Sequence, residues 1–325
     1  MSDQFRGIRR QVFVTQEFYD ATSKNYLHLD TSIKDELKTS ATAELMSLHH
    51  DSLADLNFQH FSLKYTAGYP IDQLRSELTG VIEAFERYQK ALEAYEGTAQ
   101  IAPLSFAEID DYERALQLIS LCYLLHRRDL LPRLRTLLDP GYAGEDTIYE
   151  DLMAFDEEGR ADVDYWHHEE PYTELVNAMY LEQPDANAAL KTYCDTWYKC
   201  FEHVPWHDSH TRIEGTEGDY FGYWAFEAAA VALLYELDDS AIDHMVYPKH
   251  VVVWAREHQA LSQEDAHGNA LLRCEAGQPC PQTGYWFTPA QTDSKRRFSQ
   301  GDPMPSLGRD YGVTIWQWRE DQGKS

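Results

Sequence analysis

Apolar side chains recur in steps of three and four along most of the first 257 residues. That period restricts the chain to helices with one buried face each. In IKDELKTSATAELMSLHHDSLADLNFQHFSLKYTAGY, the apolar positions are Leu37, Leu45, Leu48, Leu53, Leu56 and Phe61. The run ends at Ala67-Gly68-Tyr69-Pro70, where Gly can take the left-handed cap and Pro cannot continue a helix. A second stripe follows at Leu74, Leu78, Val81, Ile82, Phe85, Tyr88, Leu92 and Tyr95, and Gly97 closes it. Together the two segments predict a long antiparallel helical hairpin. Ser105, with Glu108 three residues on, has the spacing of a capping box and predicts a helix through YERALQLISLCYLLHRR. A shorter helix, DLLPRLRTLL, ends at Asp139-Pro140-Gly141.

The centre opens with an acidic, turn-rich passage, FDEEGRADVDYWHHEEPY, before helices resume in YTELVNAMYL and DANAALKTYCDTWYKCF. Asp185 is placed to cap the second of these. The passage YFGYWAFEAAAVALLYELDDS is apolar nearly all round, the signature of a helix buried on most faces. Beyond residue 258 the helical period disappears. Short β-like runs take over at Tyr285–Thr288, Arg296–Phe298 and Gly312–Trp316. The fold expected is mainly α: an antiparallel α-helical bundle with a small β-rich C-terminal appendage. The regions expected are 1–138, 139–257 and 258–325, the last packed on the helical body through Trp286, Trp316 and Trp318.

Charge narrows the partners. Acidic residues number 55 and basic residues 28, a net charge of −27. Residues 139–257 alone hold 27 acidic and 6 basic side chains, net −21. Phosphate backbones and anionic membrane surfaces repel such a surface, so direct nucleic-acid and membrane binding are both excluded as expectations. A basic partner, or no charged partner at all, remains. The start, MSDQFRGIRRQVFV, has no apolar run of signal-peptide length, and the apolar stretch near 220–235 is broken by Glu227. Cys122, Cys194 and Cys200 read as reduced core residues, which points to a cytoplasmic protein. Cys274 and Cys280, in CEAGQPC, could close a small disulfide or join a zinc site, with His267 nearby.

Several clusters could carry chemistry. His203, His207 and His210 lie close in sequence, but Pro205 interrupts a regular helix between the first two. His167, His168, Glu169 and Glu170 are consecutive, so they point in different directions. Asp238, Asp239 and Asp243 have a spacing that can hold Mg²⁺, the basis of an alternative reading as an all-α metal-dependent enzyme. Glu227, inside YWAFEAAAVALL, reads as a buried hydrogen-bond hub between helices. No G-x-G-x-x-G or G-x-S-x-G motif is present, and no catalytic, cofactor or metal residue is assigned.

An ordered series of motifs resembles the PoNi-type immunity proteins. The passage KYTAGYPIDQLRSELTGVIEAFERY is similar to their Y-x-x-G-x-x-x-x-x-L helix junction. Trp197-Tyr198, then Gly222 through Ala230, then Asp238-Asp239-Ser240 and Tyr247-Pro248, are similar to the C-terminal PoNi domain. Thr283-Gly284-Tyr285-Trp286, Arg296-Arg297-Phe298, Gly301 to Pro305 and Gly312 resemble the tail of larger members. The resemblance implies a mostly helical antitoxin without catalytic residues or cofactors. It would neutralise a secreted bacterial toxin, often a nuclease effector of a type VI secretion system. The Gly-Tyr-Trp and Glu-Ala-Ala positions read as architecture. The contacts expected with a basic toxin are Glu157, Glu158, Asp162, Asp164, Tyr165, Trp166, Glu169, Glu170, Glu214, Glu217 and Asp219, chosen for charge and loop context.

Overall fold

Two threonines start the first long helices. The Thr15 hydroxyl accepts the Phe18 amide at 3.1 Å and the Thr42 hydroxyl accepts the Leu45 amide at 3.2 Å, each satisfying a donor the helix leaves free. The computed structural model describes residues 3–261, 273–288, 294–306 and 315–318. In chain order the helices are α1 (Asp3–Ile8), α2 (Gln16–Leu37), α3 (Ala43–Thr66), α4 (Ile71–Glu96), α5 (Ile109–Leu124), α6 (Leu131–Tyr142), α7 (Thr147–Ala154), α8 (Glu169–Tyr180), α9 (Asp185–Cys200), α10 (Phe226–Leu234) and α11 (Lys249–Glu257). Short 3₁₀ turns lie at Arg128–Leu130 and Ser209–Arg212. The fold is mainly α, as the apolar period predicts.

The chain divides into two compact units, Met1–Gln259 and Ala260–Ser325. In the first, α3 packs along both α2 and α4, and α8 pairs with α9. Every residue of α5 from Tyr112 to Leu124 is buried, and α4, α6, α10 and α11 pack around it. Helix α10 is buried from Phe226 to Ala232.

Several local readings are corrected. The single helix expected over residues 33–69 is two, because the Thr42 cap restarts it as α3. Leu53, Leu56 and Phe61 are buried, whereas Leu45 and Leu48, in the opening turns of α3, are exposed. Thr42→Ala is therefore expected to cost about 1 kcal/mol, read by urea unfolding; an unchanged midpoint would show that the cap carries no load. Gly97 ends α4 at φ 67°, as expected. The Ser105 capping box does not form. Phe106 turns into the core and stacks on Tyr142 with centroids 3.7 Å apart, so residues 105–108 make a turn and α5 starts at Ile109. Asp185 lies in the first turn of α9 with Pro184 at the cap position.

The largest difference is at residues 220–225, which are not helical. Side chains hold their backbone instead. Gln11 Nε2 donates to the Tyr223 carbonyl at 2.6 Å and its Oε1 accepts the Tyr223 amide at 3.0 Å. Gln117 donates to the Trp224 carbonyl at 2.7 Å and the Thr66 hydroxyl to the Phe221 carbonyl at 2.7 Å. Buried polar backbone needs such partners wherever a helix does not supply them.

The second unit contains β1 (Arg273–Glu275), β2 (Gly284–Phe287), β3 (Arg296–Phe298) and β4 (Ile315–Trp318). They form one antiparallel sheet in the order β1-β4-β2-β3. Its core is Cys274, Cys280, Trp286, Met304 and Trp316, with Phe298 against it. Trp286 and Trp316 are thus buried within this unit's own core; the Trp318 side chain, Gly312 and His267 lie outside the described residues. All five cysteines are free thiols.

Candidate functional site

The acidic passage after α7 is held by buried carboxylates. Asp146, fully buried, caps α7 by accepting the Tyr149 amide at 2.9 Å. It also accepts the Tyr112 hydroxyl at 2.9 Å and the His167 amide at 3.1 Å. Glu150, also buried, takes Arg160 at 2.6 Å and the Ala161 amide at 3.0 Å. Thr147 adds a hydrogen bond from its hydroxyl to the Val163 carbonyl at 2.6 Å. Residues 160–167 therefore lie fixed along the start of α7, a preorganised surface instead of a loose loop.

Outward from this scaffold, Glu158, Asp162, Asp164 and Tyr165 are exposed. Glu157 is half-buried and paired with Arg135 and Arg160, each at 3.3 Å, so much of its charge is already balanced. Trp166 is half-buried. Glu214 and Glu217 face each other across a tight turn, their backbones joined at 2.9 and 3.1 Å, and both side chains are exposed. Asp219 pairs with Arg212 at 2.7 Å.

Glu169 and Glu170 are brought into a groove of about 700 Å³ between the start of α8 and the end of α9. Glu174 and Glu202 join them, with Lys199, Cys200 and His203 also on its walls. Thr192, Thr196, Lys199 and His203 form one stripe of α9 and its exit. Sequence reasoning missed Glu174, Glu202 and this stripe. Part of the signal was present as the i, i+4 spacing of 192 and 196 on α9, whereas Glu170 has an extended backbone just ahead of the regular turns that carry Glu174. What it lacked was knowledge that α8 and α9 pair.

The lining of the groove is predominantly acidic. Four carboxylates face one lysine and His203, which is almost fully exposed beside Glu202. Burial, then the Glu170 carboxylate, pushes the Cys200 thiol up and keeps it protonated, the opposite of a nucleophile's environment. Cys200 is accordingly a half-buried wall residue and not part of the core.

The other clusters are absorbed by structure. His210 Nδ1 bonds the Tyr223 hydroxyl at 2.9 Å, His207 stacks on Tyr198 with centroids 4.3 Å apart, and His203 is apart from both in the groove wall. His168 Nε2 bonds the Phe106 carbonyl at 2.9 Å. Asp239 is buried between the Tyr247 hydroxyl at 2.6 Å and Arg256 at 2.7 Å, Asp238 receives the Ser240 amide at 3.0 Å, and Asp243 is exposed. Among the described residues, no three His, Cys, Asp or Glu side chains are grouped as a metal site. No helix among them is long and apolar enough to cross a membrane. Glu227 Oε1 accepts the Tyr193 hydroxyl at 2.7 Å and the Trp197 indole N–H at 2.8 Å, which makes it the hub its sequence context suggests.

Residues 144–251 match the family model of the C-terminal domain of PoNe immunity proteins (PoNi). The match supports an immunity protein of a polymorphic toxin system. Among solved structures, the crystal structure of protein PA2201 from Pseudomonas aeruginosa is similar, with a TM-score of 0.61 at 19% identity, covering 77% of this chain and 92% of that chain. That likeness is one of fold. No curated protein matches the chain.

Proposed function

We propose that this protein is an immunity protein that binds and neutralises a cognate secreted toxin, a nuclease effector of a type VI secretion system, through the acidic surface of residues 144–251. The observation that carries the reading is the coincidence of two properties in one segment. The segment that matches the immunity domain holds 25 acidic and 5 basic residues. A nuclease needs a basic surface for phosphates, and this segment offers its electrostatic complement. The action proposed is binding. Glu158, Asp162, Asp164, Tyr165, Glu214 and Glu217 are the outward candidates for contact. Glu169 and Glu170 act from the groove, and Glu157, Trp166 and Asp219 at the margins.

The decisive experiment is co-expression in a susceptible bacterium with each toxin candidate encoded beside this chain. Growth restored against one of them is the expected result, and failure to rescue from any neighbour would sink the reading. The acidic-docking component has a separate test. Glu169→Gln, Glu170→Gln, Glu174→Gln and Glu202→Gln together are expected to slow association with the rescued toxin by about tenfold at low salt, with dissociation little changed. A rate independent of both salt and these charges would remove electrostatic docking from the account.

A further inference from the structure

The far end of α8 from the groove carries a different surface. There the C-termini of α7, α8 and α10 meet, ending at Ala154, Tyr180 and Leu234. Phe155, just after α7, packs edge-on against Tyr235, just after α10, with centroids 5.2 Å apart. Tyr180, at the end of α8, donates its hydroxyl to Asp151 of α7 at 2.6 Å. Burial and then the hydrogen bond to Asp151 raise the Tyr180 hydroxyl, and burial and then the charge of Asp151 raise that of Tyr235. Phe155, Tyr180 and Leu181 are 37, 60 and 48% exposed. Aromatic and aliphatic side chains thus lie open to water on an end where a compact fold would bury them.

Beyond Arg128 and Arg135, which pair with Asp156 beside Phe155, the charges close to Tyr180 are carboxylates. Helix C-termini present free carbonyls and the negative end of the helix dipole. None of the three helices has a basic residue in its last turn. Asp162 and Asp164 add to the negative field at Tyr180. The chain also shows how such an end is satisfied. Arg128, from the 3₁₀ turn before α6, donates to the Phe155 carbonyl, pairs with Asp156 at 3.4 Å and lies over the Tyr123 ring at 5.6 Å. One guanidinium there serves a helix-end carbonyl, a carboxylate and an aromatic face together.

We propose that the patch formed by Phe155, Tyr180, Leu181 and Tyr235, with Asp151 and Asp162, is the anchor site for an arginine-bearing cationic segment of a protein partner. Arginine fits better than lysine because its planar fork can bond carbonyls and carboxylates while its face stacks on a ring. Exposed tyrosines rimmed by charge are also the residue types that dominate binding energy at interfaces. That the partner is the toxin rests on the immunity reading; the chemistry of the patch does not.

The test uses the full chain and two defined probes, a hexa-arginine and a hexalysine peptide, titrated by calorimetry at low salt. Phe155→Ala with Tyr180→Ala changes no charge, so general attraction to an acidic protein is preserved. Hexa-arginine is expected to bind several-fold more tightly than hexalysine, and the double variant to weaken hexa-arginine about tenfold. The groove variant Glu170→Gln with Glu174→Gln should weaken it less. Equal binding by wild type and the double variant, or a loss confined to the groove variant, overturns the proposal. Unchanged far-UV circular dichroism shows that the variants are folded, and Leu181→Ser supplies a milder second variant. If a toxin is rescued and the patch variants bind it as wild type does, the anchor assignment fails while the immunity reading stands. If no toxin is rescued yet hexa-arginine binding depends on the patch, the reverse holds.

Discussion

Glu227→Ala is expected to remove about 3–5 kcal/mol of stability, read as a large drop in the urea midpoint of the helical unit. The reason is the state of the groups left behind. Tyr193 and Trp197 both donate to Glu227 Oε1, and all three side chains are buried. Alanine would strand a hydroxyl and an indole N–H in an apolar interior, each at a cost of about 1–3 kcal/mol, and would add a cavity. Glu227→Gln keeps an acceptor oxygen and isolates the charge. Burial raises the Glu227 carboxyl from the usual 4.5 to about 7. Tyr172 of α8, Tyr193 and Cys194 of α9 and Glu113 of α5 all feel its charge, and Glu113, itself pushed up by burial, resists ionising beside it. The folded state therefore holds this proton more tightly than the unfolded chain. Its contribution is fully present below pH 4.5, declines as pH rises, and is lost above about 7. The shift corresponds to about 3 kcal/mol. Half-buried His60 acts in the opposite direction: burial lowers it to about 4, and it favours the fold as pH rises from there toward its ordinary value. The wild-type curve alone mixes these effects, so the measurement is a difference. Unfolding free energies of wild type and Glu227→Gln should agree near pH 5 and diverge toward pH 8, with the variant the more stable there. Parallel curves across this range would show that Glu227 is already ionised in the fold, as it is in the unfolded chain.

This hub was legible in the sequence because a lone carboxylate inside FEAAAVALL must be buried and reads first as a hydrogen-bond hub, with a catalytic acid as the rival reading. The helices of the N-terminal half were legible for a related reason: their apolar period is a property of one segment at a time. Failures fall where a distant residue decides. Thr42 is the local exception: α2 ends at Leu37 and the Thr42 hydroxyl caps the start of α3, within what reads as one apolar stripe. Residues 220–225 look helical by composition, yet Gln11, Thr66 and Gln117, each far away in sequence, supply the partners that let the backbone leave the helix. The candidate site divides in the same way. Glu169 and Glu170 could be chosen from charge alone. Glu174 and Glu202 needed the pairing of α8 with α9, and the patch around Tyr180 needed three helix ends to converge. Charge counts also overstate the surface: Asp146, Glu150, Glu227 and Asp239 lie in the acidic segment but are buried, so they build the scaffold and do not face a partner.

Gly222→Ala is expected to cost about 3–5 kcal/mol in the same urea measurement, and it tests whether the Gly-Tyr-Trp motif is architecture. Gly222 has φ 121°, a backbone state that residues with a Cβ rarely adopt, and forcing one there costs on the order of 1–3 kcal/mol. A Cβ would also collide with the Thr66 hydroxyl and the Trp224 indole nitrogen. Neither neighbour is free to move. The Thr66 hydroxyl accepts the Trp224 N–H at 2.8 Å and lies 2.9 Å from the Ser62 carbonyl as well as 2.7 Å from that of Phe221. Thr66 is fully buried, so rotating its hydroxyl away would break bonds that no water can replace; overpacking of this kind costs about 1–3 kcal/mol more. Thr66→Ala separates the two contributions. It removes the Thr66 part of the collision but not the Trp224 part, and leaves the Trp224 N–H and the Phe221 carbonyl unpaired. The double variant should therefore be more stable than the sum of the single losses implies, by about 1 kcal/mol, because the clash with Thr66 is counted in one single variant and absent from the double, while the backbone strain and the Trp224 contact remain. Additive losses would mean that the clash with Thr66 is no part of what requires the glycine. A Gly222→Ala variant as stable as wild type would mean that residues 220–225 can leave the path the three polar side chains hold, and that the motif does not fix the core.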